Sequence, residues 1–268
     1  MNLDDVRGFV FDVDGTLVQR AGAEVRPLPG AAKVLAAIRS SGRPFALFTN
    51  GSHIPPAGFA AELREAGLAV DDDQLLTPLC SVQTYLARTA GRSVLAFATD
   101  SARAYLEEVG VAVVDGADGG DVDAVFVAHP KEIGFEQLEL AARVVIAGAR
   151  LLTGSYVAAY AGANGPILSR GAMVTAAIAK ASGKRPTIVG KPSRAAVSAI
   201  RERLGVPTEE IAVVGDDLYL DVALGHLGGS RTVLVRTGIS ATVDLDRVSE
   251  RRRPQLTVDG VGDLLERL

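Results

Sequence analysis

Short apolar runs alternate along this chain with stretches whose apolar residues recur at helical spacing, the pattern of a parallel sheet flanked by helices. Runs 6–12, 44–50, 187–190, 211–216 and 231–236 are nearly continuous in Val, Ile, Leu, Phe and Ala, as strands covered on both faces must be. Helices are predicted over 30–41, 56–66, 194–204 and 218–227. Gly42, Gly67 and Gly205 stand just past three of these ends, and Ser193 stands at an N-cap position. The predicted class is α/β, with these five strands in one parallel sheet.

Polar residues punctuate the ends of the runs: Asp12 and Asp14, Thr49 and Asn50, Lys191, then Asp216 and Asp217. In open parallel sheets the carboxyl ends of the strands line the ligand crevice, so four strands are expected to deliver polar groups to one edge. Between Asn50 and Gly190 the chain spends about a hundred residues more than the roughly 30 that one strand-helix-strand step requires. Within that excess lie further strand and helix patterns at 94–99, 101–109, 111–114, 124–128, 135–147 and 151–153. Residues 78–180 are therefore expected to form an inserted α/β domain, with 1–77 and 181–268 as the main domain.

Composition narrows the class. With 48% hydrophobic residues, 22% charged residues and no low-complexity tract, the 268-residue chain is an ordinary globular sequence. A net charge of −4 argues against a nucleic-acid surface, which relies on clustered Lys and Arg; the run Arg251–Arg253 reads as a solvated loop. One cysteine, Cys80, excludes an internal disulfide and a Cys-rich zinc site, reads as a small packing residue, and fits a reducing cytoplasm. Neither an N-terminal signal nor an apolar stretch of the roughly 20 residues needed for a membrane span is seen, so a cytoplasmic, soluble protein is expected.

The candidate chemistry lies in two acidic clusters. Asp12-Val13-Asp14-Gly15-Thr16 follows the first apolar run, and Gly215-Asp216-Asp217, with Asp221 beyond, follows the fourth. Carboxylates this close repel one another unless a cation or a proton separates them, and a hard divalent ion such as Mg²⁺ is the natural oxygen-bound partner. For Asp217 alone, capping of the following helix is an equally good reading. Thr49-Asn50-Gly51-Ser52 and Gly190-Lys191-Pro192 add a hydroxyl, opened backbone amides and an ammonium, all suited to phosphate oxygens.

These four clusters, in this order, resemble the motifs of the haloacid dehalogenase superfamily. The large insert after the second resembles the α/β cap of its class IIA, NagD-like and 4-nitrophenylphosphatase-type, phosphatases. The resemblance covers nearly the whole chain and implies a Rossmann-like parallel-sheet core with a C2a-type cap. It implies Asp12 as nucleophile forming an aspartyl-phosphate, Asp14 as general acid and base, and Thr49, Asn50, Gly51 and Lys191 as phosphate binders. Mg²⁺ would be held by Asp12, Asp216 and the backbone carbonyl of Asp14, with Asp217 and Asp221 in support. The implied substrate is a small phosphorylated metabolite, and a homo-oligomer through the cap is left open. Where that class commonly carries Thr-Asn-x-Asp in the cap, this chain reads Thr153-Gly154-Ser155-Tyr156, followed by a small-residue loop over 161–165. Tyr156, Tyr160 and Arg170 are the candidate specificity residues.

Other classes fit less well. Neither Gly183-Lys184 nor Gly190-Lys191 has the earlier Gly or the following Ser or Thr of a P-loop, and no Gly-x-Gly-x-x-Gly follows a strand. A non-catalytic phosphate-ligand binder would be marked by loss of Asp12 or Asp14, and both are present; a phosphomutase on the same scaffold remains an alternative. His53, His129 and His226 are too scattered in the sequence to suggest one metal centre.

Overall fold

The computed structural model describes residues 2–22, 24–115, 122–162 and 165–268. The chain opens with strand β1 (Gly8–Phe11), a hairpin of β2 (Val18–Ala21) and β3 (Glu24–Pro27), helix α1 (Ala31–Ser40), β4 (Phe45–Phe48), α2 (Pro56–Glu65), a short β5 (Leu75–Leu76) and α3 (Pro78–Arg88). Next come β6 (Ser93–Phe97), α4 (Asp100–Glu108), β7 (Ala112–Val114), β8 (Ala124–Val127), α5 (Phe135–Ala147) and β9 (Arg150–Thr153). A second hairpin, β10 (Ala159–Gly162) and β11 (Gly165–Leu168), precedes α6 (Arg170–Ser182) and β12 (Thr187–Ile188). The chain closes with α7 (Arg194–Leu204), β13 (Ile211–Gly215), a π-turn over Leu218–Val222 that runs into α8 (Ala223–Gly228), β14 (Arg231–Val235) and β15 (Leu256–Val258).

Two sheets result. The larger has six parallel strands in the order β15-β14-β13-β1-β4-β5, and the smaller five in the order β12-β9-β8-β6-β7. β1, β4 and β13 are buried along their whole length, which is why their sequences are apolar without alternation. The covering helices carry one apolar stripe each: Ala31, Val34, Leu35 and Ile38 on α1 and Pro56, Phe59, Ala60 and Leu63 on α2, both at i, i+3, i+4, i+7. The smaller sheet is sandwiched likewise. Leu79, Val82, Leu86, Ala102 and Leu106 of α3 and α4 pack with Val94 and Phe126, while Val144, Val145, Val174 and Ile178 of α5 and α6 pack with Val125 and Val127. Cys80 is buried and packs with Phe48, Leu76 and Ala196.

The register puts the motifs at one level. Phe11 pairs with Val214 on one side and Leu47 on the other, so Asp12, Phe48-Thr49 and Gly215-Asp216 emerge together at the carboxyl edge. Run 187–190 departs from the sequence-based expectation. Only Thr187 and Ile188 form a strand, and they pair with Leu152 and Thr153 at the edge of the smaller sheet rather than within the larger one. Three core strands, not four, deliver polar groups, and Lys191 approaches from the insert's side. Two residues are too few to carry a period, so the sequence does not say which sheet they join. Among the described residues no helix is long and apolar enough to cross a membrane.

Candidate active site

Asp12 leaves β1 with its N–H donating to the Val214 carbonyl at 2.8 Å, and the chain then folds back, Leu17 and Val18 both donating to the carbonyl of Val13. Gly15 makes that reversal, with φ of 88°, a left-handed conformation that side chains resist. One Asp12 oxygen, Oδ2, accepts from the Thr16 hydroxyl at 3.2 Å; the other, Oδ1, accepts from Lys191 Nζ at 2.6 Å.

Lys191 is the electrostatic centre. Its ammonium is almost fully buried, donates to Asp12 and to Asp221 Oδ1 (2.7 Å), and lies 5.7 Å from the centre of the Phe48 ring. Burial alone would lower its pKa, but Asp12 and Asp221 override that and hold it well above the ordinary value. Its backbone is pinned by Asn50, whose side-chain amide donates to the Lys191 carbonyl at 2.9 Å and accepts from the Lys191 N–H at 2.7 Å. Asn50 thus places the lysine, using one of its two amide N–H donors. Thr49, buried, accepts the Gly51 N–H at 3.0 Å, leaving its hydroxyl proton to donate outward.

Asp216 Oδ2 accepts the Ile239 N–H at 2.6 Å, and Asp221 Oδ2 accepts the Asp217 N–H at 3.1 Å. Burial, with Asp12 and Asp221 close by, pushes the Asp216 pKa up to about 8 despite the Ile239 N–H and Lys191. Burial pushes Asp221 up to about 7 despite Lys191, with Asp12 and Asp217 adding to the rise. Asp12, Asp216 and Asp221 each present an oxygen within 4.8 Å of the others. Such crowded acids sharing one lysine fit a hard divalent cation, which prefers oxygen donors. Asp217 does cap the following turn, accepting from the Tyr219 and Leu220 N–H groups.

Asp14 sits at the mouth of the site, where Arg20 Nε donates to its Oδ1 at 2.6 Å. Burial raises its pKa and Asp12 adds to this, while Arg20 and Lys191 pull it down. Nearby, the His53 ring lies 5.6 Å from His129 of the insert and packs edge-on to Phe59, and the Thr99 hydroxyl donates to the His53 carbonyl at 2.8 Å. His226 is elsewhere, on α8, against the Arg253 carbonyl.

The candidate specificity residues lie on three different elements. Tyr156 lines an open groove of about 660 Å³ with Lys180, Lys184 and Arg185. Tyr160 is exposed on β10, and Arg170 donates to the Lys131 carbonyl at 2.8 Å. Ala163 and Asn164, in the small-residue loop, lie outside the described residues. Sequence reasoning missed the turn after β14, where Ile239 holds Asp216 and the Ser240 hydroxyl accepts the Leu218 N–H at 3.1 Å. A Cβ on Gly238 would fall on the Asp216 carboxylate, so the approach there requires glycine. The available signal was Thr237-Gly238 at the tip of an apolar run.

Comparisons agree with this geometry. A haloacid dehalogenase-like hydrolase family model matches residues 9–112, and a second model, HAD-hydrolase-like, matches 188–264. The chain is 28% identical over 251 residues to the ribonucleotide monophosphatase NagD of Escherichia coli K12, covering 92% of this chain and 94% of that protein. It is 29% identical over 299 residues to human glycerol-3-phosphate phosphatase, covering 99% and 92%. The solved 4-nitrophenylphosphatase from Thermotoga maritima superposes with a TM-score of 0.86 at 28% identity, over 98% of each chain. With the acidic pair in the loop after β1, the lysine facing it and an α/β insert between them, the chain belongs to the haloacid dehalogenase-like hydrolases, among the NagD-like phosphatases.

Proposed function

We propose that the chain is a Mg²⁺-dependent phosphomonoesterase that cleaves a small phosphorylated metabolite through a phosphoryl group carried transiently on Asp12. The observation that carries this reading is Lys191 Nζ bridging Asp12 and Asp221, with Asp216 in the same cluster. Asp12 and Asp216 would hold the metal, assisted by the Asp14 carbonyl, with Asp221 and Asp217 supporting. Bound there, the ion would offset repulsion between the carboxylates and a phosphate dianion.

The chain's own groups supply the rest. Lys191 and Thr16 fix the two oxygens of Asp12 and so aim the carboxylate, and the Thr49 hydroxyl, which accepts the Gly51 N–H and keeps its own proton, would hold a transferring oxygen. Asp14 protonates the departing oxygen, then takes a proton from the water that hydrolyses the acyl phosphate. The roughly 78–180 insert closes the site as a cap. The acidic pI near 5.5 and single cysteine suit a cytoplasmic enzyme.

Hydrolysis of 4-nitrophenyl phosphate by the purified protein, with and without Mg²⁺, tests the reading: metal-dependent release near neutral pH is expected, and none would count against it. Asp12→Asn is expected to abolish turnover together with any acid-trapped phosphoprotein; retained activity would remove Asp12 as nucleophile.

A further inference from the structure

We infer that Arg20 is a positioning residue for the acid–base carboxylate of Asp14, and that Glu62 fixes Arg20 in turn; the inference rests on the proposed role of Asp14. Each other carboxylate of the cluster is held by buried or backbone partners: Asp12 by Lys191 and Thr16, Asp216 by the Ile239 N–H, Asp221 by Lys191 and the Asp217 N–H. Among the described residues the Asp14 side chain has one hydrogen-bonding partner, Arg20.

The hold is built from rigid pieces. Arg20 lies on β2, two residues beyond fully buried Val18, and the Leu28 N–H donating to Leu17 ties the hairpin to the nucleophile loop. Its Nε takes Asp14 Oδ1 at 2.6 Å while Nη1 takes Glu62 Oε2 at 2.8 Å. Glu62 belongs to α2, whose Pro56, Phe59, Ala60 and Leu63 are buried. A planar guanidinium that bonds two carboxylates from separate elements fixes direction as well as distance, which a lysine ammonium does not. The three side chains stay partly exposed, 28% for Arg20, 46% for Asp14 and 34% for Glu62, so their pairing adds little stability and its value is geometric.

Proton transfer needs the carboxyl about 2.6–3.2 Å from the departing oxygen. With Oδ1 engaged, Oδ2 is the oxygen left for that task. As an Asp12 oxygen bonds to phosphorus, the phosphorus–ester bond breaks; its electron pair goes to the ester oxygen, which takes the proton from Asp14 Oδ2. In the second half, water gives a proton back to Oδ2 as its oxygen bonds to phosphorus and the Asp12–phosphorus bond breaks. A weakly basic phenolate hardly needs the first proton, and a strongly basic one does. Loss of the hold should therefore penalise a substrate in proportion to the basicity of its leaving oxygen.

The test measures kcat/KM of the intact enzyme for aryl phosphates of rising phenol basicity, from 4-nitrophenyl to phenyl to 4-methoxyphenyl phosphate. For Arg20→Ala the expected loss grows from about threefold on the first to about 30-fold on the last, since misplacing a reacting group by 1 Å can cost about 100-fold. Arg20→Lys should recover part of the difference, and Glu62→Gln, a change of little volume, should show a shallower version of the same trend. Equal losses across the series, or none, in Arg20→Ala and Glu62→Gln would overturn the inference. Asp14→Asn separates the two claims: a flat response there removes the acid–base role of Asp14 itself, whereas a steep response there with a flat one in Arg20→Ala removes only the positioning role.

Discussion

Lys191 concentrates the energetics of the site in one side chain. Its removal would leave Asp12, Asp216 and Asp221 crowded without a counter-charge, and breaking a buried ion pair by deleting one partner typically costs about 3–5 kcal/mol. The carboxylates can escape by taking up protons. A carboxyl whose folded pKa lies above its unfolded value stabilises the fold at low pH and loses that contribution as pH rises through the folded value, here about 7 for Asp221 and about 8 for Asp216 even with the lysine present. Lys191→Ala is therefore expected to melt close to the parent at pH 6 and well below it at pH 8, with catalysis lost at both. Equal depression of the melting temperature at the two pH values would refute this balance. Asp12, Lys191 and Asp216 were legible in the sequence because each is a charge where an apolar run stops. Ile239 was not, because it acts through a backbone N–H that its apolar side chain does not advertise. Arg20 and Glu62 stand 42 positions apart, and only folding brings them together.

At the scale of elements, the longer apolar runs were read as strands of one parallel sheet, and β1, β4, β13 and β14 do share it. The two-residue edge strands β5 and β12 were missed or misplaced, because their pairing is decided by packing around them rather than by their own pattern. Asn50 compensates for the brevity of β12. Its amide forms with the Lys191 peptide the pair of hydrogen bonds that a neighbouring strand would supply, and joins the end of β4 to the loop after β12. Asn50→Ala would leave both Lys191 backbone groups without this partner, at about 1–3 kcal/mol. The expected outcome is a lower melting temperature and a kcat reduced more than tenfold, with KM changed less, because the lysine rather than the substrate contact is displaced. A rise in KM alone, with kcat intact, would mean that Asn50 contacts the substrate instead.

For the molecule as a whole, the acidic cluster makes folding and cation binding one equilibrium. At pH 6 Asp216 and Asp221 hold protons that a divalent ion must displace; near pH 8 they hold fewer. Added Mg²⁺ should therefore raise the melting temperature more at pH 8 than at pH 6, and calorimetric titration near pH 7 in buffers of different ionisation enthalpy should register proton release. A stabilisation independent of pH, or proton uptake, would contradict the placement of the ion among these carboxylates. A second sheet was visible from the span between Asn50 and Gly190, which far exceeds one crossover, and from the strand and helix patterns within it.

The position of β12 carries a further consequence for how such a protein can be altered. Because the strand leading into Lys191 hydrogen-bonds to β9 and not to the core sheet, the buried ammonium is hung from the edge of the inserted layer. The two layers are then not interchangeable modules. A chimaera that transplanted a foreign insert over 78–180 would sever the pairing of Thr187 and Ile188 and unmoor the lysine, even with every core residue kept. Successful grafts would have to carry the donor's own edge strand and the loop through its lysine, placing the seam at the start of α7.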